Sequence, residues 1–440
     1  FRISSCGWMW IKRKAAEPAN GTAPEAKKAK KARQPRPFDF TAHPQRKIAL
    51  RFLYYGWLYD GLVVQANTEN TVEKLLLDAL MKTRLIESAA TCDLTRCGRT
   101  DKGVSAFKQV AALVVRSATV DDTSYWSDST PQSVRDSYRS GEELPYLKML
   151  NGVLPPSIRV TAWAKVPLSF SARHACNARI YKYALPRAAY DVQKLRAAAS
   201  QLVGKHDFRN FCQIDLNEAR VEQSYVREVV DVTVEEVVRD PSSSRYDLLE
   251  ITVVGTGFLW HMIRFIVGVL HEIGLGREEP ELVSRLLDVS LTPRRPVYQM
   301  AVDTPLCLFD CRFEREGMAV QWRLPDRTVA EKNLAALQKE WAQTATRARM
   351  LRNMIDSMVD ELREGEGEDG AGNGTTVGRS TVDEDRGLLE YVQDKPQPAT
   401  RDAYVAFASR PTCASLEEKA AKLREKKLNR EEAETRVESS

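Results

Sequence analysis

Histidine is nearly missing from this chain, with 5 in 440 residues. The eight cysteines contain no Cys-x-x-Cys pair, and the spacings in CDLTRC and CLFDC do not suit the common zinc sites. No metal is therefore expected, and the cysteines read as reduced thiols of an intracellular protein. No uninterrupted apolar run of about 18 residues occurs, which argues against a membrane-spanning helix. The richest apolar stretch, FLWHMIRFIVGVLHEIG, carries two histidines, an arginine and a glutamate and reads as a buried helix instead. A Gly-rich phosphate loop is also lacking.

Charge of one sign is scarce where a nucleic-acid binder would show it. The net charge is +5, but residues 1–46 hold 11 Lys/Arg against 3 Asp/Glu, and residues 326–440 hold 19 against 23. The 35 basic and 34 acidic residues of 47–325 leave that region nearly neutral. Any phosphate binding there must come from a local patch.

The ends differ from the middle in composition. Residues 1–46 form a basic tail, Ala/Pro/Lys-rich over KRKAAEPANGTAPEAKKAKKARQPRP and expected to be disordered. Its KKAKKARQPR run is compatible with a nuclear localisation signal, an RNA-binding arm or a solubilising tail. KIALRFLYYG alternates as a strand, and NTVEKLLLDALMKT reads as a helix with Asn70 as N-cap and Glu73 three residues on. QVAALVVRS and segments near 158–165, 178–185, 226–237 and 246–254 read as strands. Helices are expected near 189–203, 258–274 and 279–288. The pattern predicts an α+β fold: a mixed, largely antiparallel sheet flanked by helices. Beyond 325 come an amphipathic helix (Leu334, Leu337, Trp341, Ala345 and Met354 at helical spacing), an acidic Gly-rich linker and a charged terminal helix.

Three places carry groups suited to chemistry. In RCGRTDKGVSAF, Asp101 sits in turn-forming company, and a surface turn is the plain reading. Arg96, Arg99 and Lys102 beside it would keep its carboxylate ionised and fit for nucleophilic or base chemistry. In the apolar helix, His261, Arg264, Gly268 and His271 share a sector of roughly 80°. A buried Arg264 requires a partner, structural or catalytic. In SFSARHACNARIYKYAL, Arg179, Tyr181 and Tyr183 share one strand face downstream of Arg173. That arrangement suits sheet surface, and equally an unstacked base beside phosphate-binding cations. GKHDFRNFC adds His206, Phe208, Arg209 and Asn210.

CGRTDKGVSA resembles the signature of the TruA-type tRNA pseudouridine synthases. NGVLPPSIRV, FSARHACNARIYKYAL, GKHDFRNF, GTGFLWHMIRFIVGVLHEIG and MAVDTPLCLFDCRF resemble later blocks of that family, in its order, over about residues 47–315. The wording is closest to the eukaryotic subgroup acting at positions 38 and 39 of the tRNA anticodon stem-loop. The resemblance implies the TruA-type fold with a central RNA-binding cleft. Its catalytic domain would comprise an N-terminal half (47–166) bearing the catalytic acid and a C-terminal half (167–324), followed by an extension (325–440). It implies isomerisation of uridine to pseudouridine without a cofactor, with Asp101 as nucleophile or base, Arg264 as its ionic partner and Tyr181 stacking on the target base. Arg99, Lys102, Arg173, Arg179, His206, Phe208, Arg209, Asn210, Phe258 and His261 are the expected RNA contacts. A tRNA partner and a homodimer are implied, and nucleus, cytoplasm and mitochondrion all remain open as compartments. A same-family enzyme modifying other RNA sites, or a non-catalytic tRNA binder, is the alternative.

Overall fold

The computed structural model describes residues 38–215, 223–238, 244–314, 319–368, 383, 385–394 and 403–438. Residues 1–37 of the tail expected to be disordered, and the acidic linker from 369, lie outside them. Residues 38–46 are instead ordered, with a helical turn at Phe40–Ala42 and a strand from Gln45, and the linker's first residues, 364–368, continue a helix. The strands are β1 (Gln45–Tyr54), β2 (Thr95–Arg96), β3 (Ser105–Arg116), β4 (Ser124–Tyr125), β5 (Ile158–Lys165), β6 (Ala178–Pro186), β7 (Gly204–Asp207), β8 (Val226–Val238), β9 (Leu248–Gly255) and β10 (Leu306–Arg312). The helices are α1 (Val72–Lys82), α2 (Gln132–Ser137), α3 (Tyr146–Asn151), α4 (Ala172–Ala175), α5 (Val192–Ser200), α6 (Met262–Gly274), α7 (Leu282–Leu287), α8 (Arg327–Glu368), α9 (Arg386–Gln393) and α10 (Leu416–Glu438). Among the described residues no helix is long and apolar enough to cross a membrane.

All ten strands belong to one sheet, ordered β4-β1-β3-β10-β6-β9-β8-β7, with β2 on β3 and β5 on β1. Every pairing is antiparallel except β3 with β10, which run parallel with Cys307 beside Ser105 and Leu308 beside Ala106. The mixed, mostly antiparallel sheet matches the fold expected from the sequence. The two-residue β2 and β4, and β7 and β10, are not among the expected strands, and β10 is the one that joins the two groups of antiparallel strands.

Local sequence explains most elements. β1 is buried on both faces along IALRF, apart from a half-buried Arg51, and is flanked by β3 and β5. Its buried cations are paired, Arg46 with Asp121 and Glu143 and Lys47 with Asp93. α1 is capped by Thr71 rather than Asn70, the Thr71 hydroxyl accepting from the Lys74 amide at 3.4 Å. Glu73 is drawn from the expected capping box to Arg96.

Every residue of α6 is buried. The helix starts at Met262, four residues later than the apolar pattern implies, because His261 takes a left-handed conformation (φ 61°) at its N-cap. Of its small and polar sector, Arg264 and Gly268 lie against segment 299–303. Arg264 Nε donates to the Ala301 carbonyl at 2.7 Å. His271 hydrogen-bonds Tyr190, and burial pushes its imidazole down to about 3.

Alanine inside a helix ordinarily stabilises relative to glycine by roughly 1 kcal/mol. At Gly268 the added carbon would stand 2.4 Å from the Gln299 carbonyl oxygen. Gly268→Ala is therefore expected to destabilise by about 1–3 kcal/mol, read as a lower denaturation midpoint than wild type.

Candidate active site

The loop between β2 and β3 carries Asp101 and is braced from both sides. From the N-terminal strands, the Tyr54 hydroxyl meets Thr100 Oγ1 at 2.6 Å and the Leu62 amide donates to the Thr100 carbonyl at 3.1 Å. The Gly56 amide donates to Ser105 Oγ at 2.9 Å. The turn closes through the Val104 amide, 3.2 Å from the Asp101 carbonyl. Gly103 turns it with φ 79°, and a side chain there would begin 2.5 Å from Asp303 Oδ1. Both the backbone angle and the acid packed against it require glycine at this position.

The other side of Asp101 faces the entry to α6. Trp260 Nε1 donates to Asp101 Oδ1 at 3.2 Å, and His261 Nε2 lies 3.5 Å from Asp101 Oδ2. The carboxylate is about a third exposed, at 36% of its side-chain surface, so it can be reached while the Trp260 indole donates to it and the His261 ring lies against it. Burial lowers the His261 pKa; Asp101 and Asp303 oppose that shift and Arg264 adds to it. His261 thus stands among two acids and a guanidinium, in a backbone conformation that costs about 1–3 kcal/mol.

Arg264 is buried as expected, but its ionic partner is Asp303, at 3.9 Å, rather than Asp101. The bond to the Ala301 carbonyl directs the guanidinium along segment 301–303. Arg264 therefore acts on the Asp101 turn at one remove, through the Asp303 carboxylate packed on Gly103.

The basic residues around Asp101 also serve elsewhere. Arg96 pairs with Glu73, and Lys102 with Asp60 at 3.0 Å. Arg99 and Arg173 are exposed. Arg179 is a clip between chain segments, donating to the carbonyls of Thr256 (2.7 Å), Cys97 (3.0 Å) and Arg173 (2.9 Å). These donors are directed at main chain instead of an RNA phosphate.

Tyr181 is buried on β6 between Leu308 of β10 and Val253 of β9. Phe258 meets its ring edge-on at 5.2 Å, and its hydroxyl lies 4.0 Å from where a side chain at Gly98 would begin. Burial raises the phenol pKa far above its ordinary value, so the free protein holds it neutral.

The GKHDFRNFC group divides between core and surface: Phe208, Asn210, Phe211 and Cys212 are buried, whereas His206 and Arg209 are half-buried. Phe208 and Asn210 are buried, and Asn210 Nδ2 donates to the carbonyls of Leu286 (2.9 Å) and Thr292 (2.7 Å). Arg209 pairs with Asp207 and Glu417, and His206 Nε2 lies 3.0 Å from the Val203 carbonyl. Two side chains with this burial have no face left for a nucleotide.

Trp260 and Asp303 are site residues that sequence reasoning did not single out. Trp260 sits in an apolar run and reads as helix core; it precedes the left-handed His261, outside the helix, and is 47% exposed. Asp303 stands in the quoted MAVDTPLCLFDCRF block, and an acid before Thr-Pro there was the available signal.

The electrostatics of His261 are testable with few competing signals. Asp101→Asn removes the group that most strongly opposes the downward shift, so the His261 pKa is expected to fall further. NMR titration of the imidazole resonances reads this; a pKa that is unchanged or rises contradicts the geometry.

A family model described as tRNA pseudouridine synthase matches residues 198–314, the stretch holding Phe258, His261, Arg264 and Asp303. The probable tRNA pseudouridine synthase tag-124 of Caenorhabditis elegans is 49% identical over 412 residues, covering 93% of this chain and 97% of that protein. The human tRNA pseudouridine(38/39) synthase is 39% identical over 390 residues, 87% of this chain and 77% of that protein. Its Saccharomyces cerevisiae counterpart is 40% identical over 303 residues, 68% of this chain and 63% of that protein. With this extent of identity around a two-sided carboxylate site, the chain belongs to the tRNA pseudouridine synthase family.

Proposed function

We propose that this protein converts uridine to pseudouridine at positions 38 and 39 of the tRNA anticodon stem-loop, with Asp101 as the group that acts on the nucleoside. The observation that carries the reading is the Asp101 carboxylate itself, oriented by Trp260 and His261 and still accessible. The relatives named for positions 38 and 39 support the choice of uridines. In the reaction the N1–C1′ bond breaks and a C5–C1′ bond forms. The C5 proton is lost and N1 is protonated, so the atoms balance without a cofactor.

The target uridine must leave its stack, at a cost of a few kcal/mol. Phe258 and the buried Tyr181 offer an apolar floor for the base, and stacking on an aromatic offsets roughly 1–3 kcal/mol. The neutral phenol favours stacking over proton removal in the resting site. Exposed Arg99 and Arg173, with Lys102 exchanging Asp60 for phosphate, are the side chains that would meet backbone phosphates. Arg264 holds the turn through Asp303, and so works on positioning.

α8 supports the reading of a homodimer. Leu334, Trp341, Ile355 and Leu362 fall on one seven-residue register, with Ala348 at the intervening position, and all but Ala348 are large, exposed apolar side chains. Leu351 and Met358 fall on the register's second position and are also exposed. A sustained seven-residue repeat asks for a supercoiled partner of the same period, which a second copy supplies.

Incubated with unmodified tRNA, the wild type is expected to give pseudouridine at 38 and 39 by chemical mapping, and Asp101→Ala none. Arg264→Ala is expected to lower turnover at least about 100-fold, as loss of a positioning contact allows, while most tRNA affinity remains. Product at other uridines would move the assignment to another site of the same family, and wild-type inactivity would end it.

Dimerisation has its own readout in light scattering. Wild type is expected at twice the chain mass, and the pair Ile355→Asp with Met358→Asp at the single-chain mass. A monomeric wild type, or a dimer unaffected by the pair, overturns the coiled-coil reading.

A further inference from the structure

Three cysteines far apart in sequence meet at one point. Cys97 lies four residues before Asp101, Cys176 immediately after α4, and Cys311 in β10. All three are buried, and their Sγ atoms all lie within 4.8 Å of one another. No spacing motif announces this group, because the sheet brings it together: Cys311 pairs across the ladder with Arg179 of β6, three residues beyond Cys176.

The chemistry of the group is specific. A soft ion held about 2.3 Å from three thiolates needs sulfurs about 4 Å apart, within the observed spread. Burying three thiolates demands compensating charge. Arg179 supplies one positive charge: its guanidinium donates to the Cys97 carbonyl at 3.0 Å, and its residue pairs with Cys311 across the ladder. A divalent ion together with that guanidinium neutralises three thiolates, whereas a monovalent ion leaves a buried negative charge. The Cys176 thiol donates to the Ala178 carbonyl at 3.2 Å, a contact that gives way when the sulfur binds an ion as thiolate.

We propose that Cys97, Cys176 and Cys311 form a zinc-binding thiolate site. The ion clamps the root of the catalytic loop to β10 and to the segment entering β6, across the junction of the two half-sheets. It does not touch the Asp101 carboxylate and takes no part in the isomerisation. Its role is to fix where that loop begins, as structural zinc does elsewhere.

The full-length protein, equilibrated with micromolar Zn2+ and passed into zinc-free buffer, is expected to retain about one zinc per chain by elemental analysis. Cys176→Ala and Cys311→Ala are expected to retain less than a tenth of that, and Cys413→Ala the full amount. Chelation should lower the thermal midpoint of wild type and leave that of Cys176→Ala unchanged. Should the variants fail to fold, wild type loaded with Co2+ decides alone: a thiolate-to-cobalt charge-transfer band that Zn2+ displaces is the expected result. Absence of that band, zinc retained by the cysteine variants, or a disulfide between any two of the three in freshly isolated protein would overturn the site.

Discussion

Where β10 lies parallel to β3, with Cys307 beside Ser105 and Leu308 beside Ala106, two antiparallel half-sheets become one, and the loops of both are brought to the same edge. Asp101 comes from the loop feeding β3, Asp303 from the turn feeding β10, and Trp260 and His261 from the segment between β9 and α6. Parallel neighbours place the starts of both strands side by side. The Asp303 carboxylate therefore packs on Gly103, two residues beyond Asp101. Without that short ladder the acid and its supports would belong to separate sheets.

Around this junction the protein holds an acid with donors and aromatic walls more than with cations. Arg96 and Lys102 are engaged by Glu73 and Asp60, and Arg179 by three carbonyls. What orients Asp101 is an indole N–H and an imidazole. Charge near the site is instead set in a chain running from Arg264 to Asp303 to the glycine turn, with His261 in reach of both acids. Such an arrangement leaves one face of the carboxylate free for the nucleoside, which a direct guanidinium pair would cover. The buried neutral Tyr181 and Phe258 then furnish surface for a base rather than charge.

Much of the fold was legible along the chain because strand and helix periods are local properties. β1, β5, β6, β8 and the core of α6 follow directly from runs such as IALRF and MIRFIVGVL. The residues of the site were legible in part. Asp101 stood out by its turn and its neighbours, Arg264 by being a charge in an apolar helix, and Tyr181 by its strand. Phe208 and Asn210 misled because an aromatic beside an amide suits a base-binding loop and a tightly packed corner equally well; burial alone separates them. Trp260 and Asp303 escaped notice because a left-handed residue and a non-local packing contact leave no periodic trace.

The amino-acid order by itself determined most of the segments that are strands and helices, and that Arg264 would be buried in need of a partner. These depend on neighbours within a few residues and on transfer from water. Which partner Arg264 finds, where the indole of Trp260 points, and that Cys97, Cys176 and Cys311 share one point were decided only by the tertiary structure. Each joins residues at least 37 positions apart, and distances over that range are set by sheet order and strand direction, to which local patterns are blind.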